Sequence, residues 1–152
     1  MAKDTRQPKE ILAHITAARV ALTSAIYGLS EADLLKEGPV GRWSVKDVMA
    51  HVGRWEEVCR QELELHIHGE PASGKYNDFL AYNAAWEAEL HALSLQESIA
   101  LFETAHYRLY GLLSALNPEQ WSSYVRAWVT GSTWHHFEEH TEQIRAWRAT
   151  LV

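Results

Sequence analysis

Apolar residues recur along this chain at intervals of three and four, the spacing of helices that each bury one face. The first such stretch starts at Pro8, a residue tolerated in a first turn, and carries Ile11, Leu12, Ile15, Leu22 and Ile26 on one side before Gly28 closes it. Ser30 caps a short turn, and Gly38, Pro39 and Gly41 forbid regular structure as far as Trp43. Ser44 is the N-cap of a second helix, with Asp47 completing a capping box, and the inward stripe runs Val45, Val48, Met49, Val52, Cys59, Leu63, Ile67. Gly69, Pro71, Ser73 and Gly74 end it. A third helical stretch from Asn77 to His91 holds Phe79, Leu80, Trp86 and Leu90. Ser94 with Glu97 forms another capping box, so the chain restarts or kinks there. Leu95, Ile99, Phe102, Leu109, Leu112, Leu113 and Leu116 then continue the inward face until Asn117 and Pro118.

Trp121 to Thr130 has the alternation and bulk of an extended or irregular connection covering one end of the molecule, and Gly131 with Ser132 or Thr133 opens a last helix that runs to the terminus. Four principal helices and few strand signals predict an all-α fold. The expected form is an antiparallel four-helix bundle with an additional short helical segment, one domain over residues 1–152, and an irregular helical array is the alternative. The length suits one core and leaves little room for two. A hydrophobic fraction of 47% and a charged fraction of 22% argue against disorder.

A net charge of −6 gives the chain no electrostatic reason to sit on phosphate backbones or anionic lipid, so nucleic acid is not an expected partner. The lone Cys59 cannot form an internal disulfide, Met1 to Glu10 is polar with no apolar signal core, and no apolar run reaches the roughly 18 residues of a membrane span. A cytoplasmic protein with no membrane partner is expected.

The unusual counts are seven Trp and nine His, residues that wall pockets and ligate metals as well as filling cores. In the last helix His136 and His140 lie one above the other on the side shared by Phe137, Ile144, Trp147 and Leu151, whereas His135, Glu138, Glu139, Glu142 and Arg145 fall on the outer side. Two histidines one turn apart can share a divalent ion if a third ligand comes from elsewhere. His51, on the shoulder of the second helix's stripe, is the candidate, with Asp47 one turn earlier to orient its far ring nitrogen. The competing reading is a buried hydrogen-bonded histidine cluster without metal. His14, His66, His68, His91 and His106 read as ordinary surface or boundary residues, Glu56 as an exposed ion-pair partner, and Cys59 as a core thiol.

The run Gly41-Arg42-Trp43-Ser44-Val45-Lys46-Asp47-Val48-Met49-Ala50-His51, with Trp55 and Glu56, resembles the second-helix signature of the DinB-like superfamily. The segment His136-Phe137-Glu138-Glu139-His140, with Gln143, Ile144 and Arg145, is similar to that superfamily's closing helix, and Phe79 to Trp86 and Ser94 to Leu116 follow in the same order. The resemblance implies a helical bundle, often a homodimer, in which His51, His136 and His140 hold a divalent metal. The superfamily includes bacillithiol- and mycothiol-dependent transferases and isomerases, presumed metal hydrolases and the colibactin-resistance type of cyclopropane hydrolase. Two departures stand out: the mycothiol isomerase pattern has a glutamate where this chain has His136, and its extra C-terminal domain has no counterpart here.

Three neutral nitrogen ligands leave an open coordination position, as in catalytic sites, and imidazole suits zinc or nickel. The expected activity is that of a metal-dependent enzyme acting on a small, partly apolar electrophile by thiol transfer or hydrolysis, with a low-molecular-weight thiol as possible cosubstrate. Trp55, Tyr82, Asn83 and Trp134 are the candidate substrate contacts, each with plain packing as its alternative. The other functional classes are a small-molecule binding or sequestration protein, and a dimerising protein whose metal site is vestigial.

Overall fold

Serine side chains cap four of the described helices, three of them, Ser30, Ser44 and Ser94, as the sequence predicts. The structure, a computed structural model, describes residues 3–151. Among them are seven α-helices: α1 (Pro8–Ile26), α2 (Glu31–Leu35), α3 (Val45–Ile67), α4 (Phe79–His91), α5 (Leu95–Ala115), α6 (Ser123–Ser132) and α7 (Trp134–Arg148). Ser30 caps α2, and Ser44 with Asp47 and Ser94 with Glu97 form reciprocal boxes at α3 and α5. Gly28 closes the end of α1 in the left-handed region, φ 85°, as a C-terminal glycine should.

The four long helices α1, α3, α5 and α7 make the bundle, antiparallel between its two halves and parallel within them. Along α3 and α5, Lys46 reaches the carbonyls of His91 and Leu93, Gly53 lies against Leu101, and Glu56 meets His106, so the two helices run side by side in the same direction. Likewise His14 stacks on Trp134 near the start of α1 and α7, while Arg148 donates to the carbonyls of Ala25 and Tyr27 at their ends. The short α4 makes this possible. It runs back along α3, with Asn83 beside Trp55 and His91 beside Asp47, and returns the chain to the end from which α5 departs.

The core is formed by Ile11, Ile15 and Leu22 of α1, Val48, Val52 and Leu63 of α3, Phe102, Leu109 and Leu113 of α5, and Phe137 and Ile144 of α7. The stripe predicted for α5 is displaced at one position: Ile99 is half-exposed, because Ser98, Phe102, Ala105 and Leu109 set the buried face. The extended connection expected over Trp121 to Thr130 is a helix instead. Ser122 caps it by accepting from the Val125 amide, and Val125, Val129 and Ser132 form its buried edge, so packing against α3 and α7 overrides the strand preference of its Tyr, Val and Trp residues. The last helix stops at Arg148, short of the terminus, and Val152 lies outside the described residues. No described helix is long and apolar enough to cross a membrane.

At Gly53 the two parallel helices lie in close contact. A β-carbon there would lie 2.9 Å from the Leu101 carbonyl carbon, its oxygen and its Cγ. Gly53→Ala gains about 1 kcal/mol of helix propensity but forces α5 backbone outward, and overpacking costs about 1–3 kcal/mol. The expected net outcome is a lower denaturation midpoint, measured by circular dichroism. A midpoint equal to or above that of the parent chain would show that the helices are not in contact at this point.

Candidate metal centre and its cavity

His51 projects from the second turn of α3, and His136 and His140 from the first two turns of α7. Their convergence depends on Thr133, whose backbone (φ −121°, ψ −106°) separates α6 from α7 and lets α7 start afresh beside α3. His136 Nε2 lies 2.9 Å from His51 Nε2 and 2.9 Å from His140 Nε2. One ligand atom from each of the three residues lies within 4.8 Å of the others, so the group could hold a metal ion.

Hydrogen bonding alone leaves this cluster incomplete. His140 Nδ1 donates to Gln143 Oε1 at 2.7 Å, which leaves neutral His140 a lone pair at Nε2. If His136 carries its proton on Nε2, it can serve one neighbour and offers the other no lone pair. If it carries the proton on Nδ1, its lone pair meets that of His140, and Nδ1 is buried with no protein partner. Either tautomer makes one of the two contacts. Three Nε2 lone pairs directed at one cation satisfy both contacts, with the unpartnered His136 Nδ1 common to this arrangement as well, and about 2.0–2.1 Å from nitrogen to a tetrahedral zinc implies ligand pairs about 3.3 Å apart, a small ring adjustment away. Burial holds all three imidazoles below their ordinary range; the neighbouring His140 adds to this for His51, which is brought down to about 3. All three are therefore neutral at pH 7, the state in which imidazole ligates.

A cavity of about 710 Å³ opens directly on the three histidines. Trp55 and Asn83 line it, locked together by a hydrogen bond of 2.7 Å from Trp55 Nε1 to Asn83 Oδ1. Tyr76 stands at 76° to Trp55 and 84° to Trp128, forming an aromatic corner. A smaller cavity of about 280 Å³ reaches His51 between α3 and α4.

The sequence profile of the mycothiol maleylpyruvate isomerase N-terminal domain matches residues 15–147. The chain belongs to this family, within the DinB-like superfamily. Solved structures share the bundle at low identity. One described as "Sibling Lethal Factor Precursor - DfsB" is 19% identical, with 96% of this chain and 97% of that one covered and a TM-score of 0.79. The colibactin self-resistance protein ClbS, in complex with double-stranded DNA, is 11% identical with 96% and 98% covered and a TM-score of 0.79. A Streptococcus pneumoniae protein is 18% identical with 100% and 96% covered and a TM-score of 0.78. These likenesses establish the fold. A comparison with curated sequences gives no match.

Within this DinB-like bundle the remaining expected residues fall in different places. Tyr82 packs on Tyr76 and Trp86 and is not among the cavity's lining residues. Trp134 is absent from the lining too: it stacks on His14 at 4.4 Å, beneath the Arg6 guanidinium, and so faces α1. Asp47 accepts from Ser44 and from His91 Nδ1 at 3.1 Å instead of orienting His51, because the returning α4 brings His91 to it. Glu56 is fully buried, not exposed. It accepts from Arg19 at 3.2 Å and from His106 at 2.8 Å, since α3 is enclosed on that side by α1 and α5; burial pushes its carboxyl up against the pull of both partners. Cys59 is a core thiol, pushed far up by burial. Trp43, Tyr76, Trp128 and Gln143 complete the site without having been singled out as contacts, and His135 and Glu139, expected on the outer side of the last helix, also line the cavity, which is open to solvent along that edge of α7. Tyr76 carries no periodic signal in its loop, and Trp128 lies in the segment misread as extended.

The neutral histidines set a pH dependence. Unfolded, they titrate near the ordinary value of 6.5, whereas folded His51 does so at about 3. The unfolded chain therefore takes up more protons between these values, and stability that is complete above about pH 6.5 is lost progressively as pH falls toward 3. Chelator-treated protein should show a melting temperature that falls across this window, with a shallower fall for His51→Gln. Superimposable slopes would mean that burial does not hold His51 neutral.

Proposed function

We propose that His51, His136 and His140 bind one divalent metal ion and that the protein is a metal-dependent enzyme acting on a small, partly apolar electrophile by thiol transfer or hydrolysis. The observation that carries this is the meeting of three neutral imidazole nitrogens at the wall of an open cavity, in an arrangement that hydrogen bonds satisfy only in part. Zinc or nickel suits an all-imidazole donor set. When bound, such an ion supplies Lewis acidity, which makes a water or a small thiol nucleophilic near neutral pH.

The chain's own groups supply the rest. Gln143 holds the His140 ring in the tautomer whose Nε2 lone pair faces the cluster. Trp55 and Asn83, fixed by their mutual hydrogen bond, form a rigid wall against which an apolar substrate can be positioned. The cavity volume suits a small molecule. The ClbS structure is a complex with double-stranded DNA, while the net charge of −6 on this chain favours a small-molecule partner over a phosphate backbone.

A second reading, sequestration of a toxic small molecule without turnover, draws on the aromatic walls, which can retain an apolar ligand unaided, and on the self-resistance role in the ClbS description. Consumption of a reactive electrophile by zinc- or nickel-loaded protein with a low-molecular-weight thiol separates the two.

Elemental analysis tests the metal itself. Protein purified with ample zinc or nickel should carry about one ion per chain, and His140→Ala essentially none. A chelator should lower the melting temperature of the parent chain and leave that of the variant unchanged. Equal, negligible metal in both proteins would return the three residues to a hydrogen-bonded cluster.

A further inference from the structure

The walls of the larger cavity are aromatic, and the charges at its surface have one sign. Its lining residues include no lysine and no arginine, and their only carboxylate is Glu139, which lies on α7 between His136 and His140 and is exposed to solvent. Trp43, Trp55, Tyr76, Tyr124 and Trp128 supply ring surfaces from α3, α6 and the segments preceding α3 and α4. Because Tyr76 stands nearly perpendicular to both Trp55 and Trp128, the rings form a corner and do not stack into a closed column. Ring faces carry negative potential and edges positive. A corner of this kind attracts a cation over a face while the remaining surface takes up apolar area.

We propose that this cavity selects ligands that combine an aromatic body with a positively charged nitrogen, an arylalkyl ammonium or an aryl-bearing quaternary ammonium, and disfavours anionic analogues of the same size. Glu139 is the counter-charge, and the aromatic corner receives the ring. A carboxylate or phosphate on the ligand finds no lysine or arginine in the lining, only imidazoles and neutral polar groups beside the Glu139 carboxylate, so its desolvation is answered less well than that of a cation. This names a substrate class for the proposed metal enzyme, but the charge preference comes from the protein's own side chains and does not require the ion.

The test is calorimetric titration of the full chain, in mildly alkaline buffer, with naphthylmethylamine, naphthylmethanol and naphthoate. It is done once after chelator treatment and once with zinc. In the chelator-treated protein the amine should bind about fivefold more tightly than the alcohol, and the naphthoate most weakly. Glu139→Gln, at an exposed position that does not endanger folding, should reduce the amine's advantage to the part the ring faces supply while leaving the alcohol unchanged. Trp128→Ala should weaken both. Naphthoate binding as tightly as the amine in the absence of metal, an amine-to-alcohol ratio unaffected by Glu139→Gln, or no binding of any of the three would overturn the proposal. A cation preference in protein that takes up no zinc would uphold it while removing the metal reading.

Discussion

Everything in this bundle is arranged around α3, a helix enclosed on nearly every side, and a polar group on such a helix must be answered by another element or cost stability. Lys46 is answered by the carbonyls of His91 and Leu93, Asp47 by Ser44 and His91, and Glu62 by the Ser73 hydroxyl. Glu56 is answered by Arg19 and His106, with the Arg19 guanidinium lying over the Phe102 ring and donating to its carbonyl. These groups have charge-assisted or carbonyl partners that match them donor for acceptor. His51 is the exception. Its neighbours at the cluster are two more imidazoles, and ring nitrogens meeting ring nitrogens cannot all be satisfied by protons. The contrast between Glu56 and His51 on the same helix separates a structural buried network from one that could hold a cation.

Two departures from a plain up-and-down bundle create the site. The first is α4, which returns the chain along α3 and so brings Asn83 across to Trp55 at the cavity wall. The second is the break at Thr133. Were α6 and α7 one continuous helix, the face carrying Val125 and Val129 and the face carrying His136 and His140 would keep a fixed angular relation. The break lets α6 bury its valines against the core and α7 turn its histidines toward α3 independently. The cavity then lies among α3, α4, α6 and α7, the place where packing within a bundle is most easily interrupted.

How far the sequence disclosed this varies with the kind of signal. Caps and stripes are local, and Ser30, Ser44, Ser94 and Gly28 marked helix ends that the structure retains. The convergence of His51, His136 and His140 was accessible because each sits on or beside an apolar stripe, where a polar ring requires a partner. The direction of the helices was not accessible, because a capping box at Ser94 marks a restart without saying whether the preceding helix has returned. Nor did spacing reveal what encloses a given side chain: Glu56 on α3 reads as a surface acid unless α1 and α5 are known to flank it. The three tryptophans of the Trp121 to Trp134 segment show the same limit. Trp121 is buried in the core, Trp128 lines the cavity and Trp134 covers His14, three roles that one-dimensional bulk cannot distinguish.

Burial acts in two directions at the histidine cluster. The desolvation that keeps the imidazoles neutral also opposes any cation placed among them, so low basicity by itself does not favour metal over proton. What separates the two is the number of lone pairs each uses. A proton occupies one lone pair, while a divalent ion draws on all three and has further positions to fill. A sealed cluster would leave those positions unfilled. Here the cluster lies at the wall of an open cavity, so solvent or a bound small molecule can complete the shell and offset the desolvation. Under the metal-dependent reading, the open side is thus required for the ion to be held at all, and ligand access and metal affinity have the same structural cause.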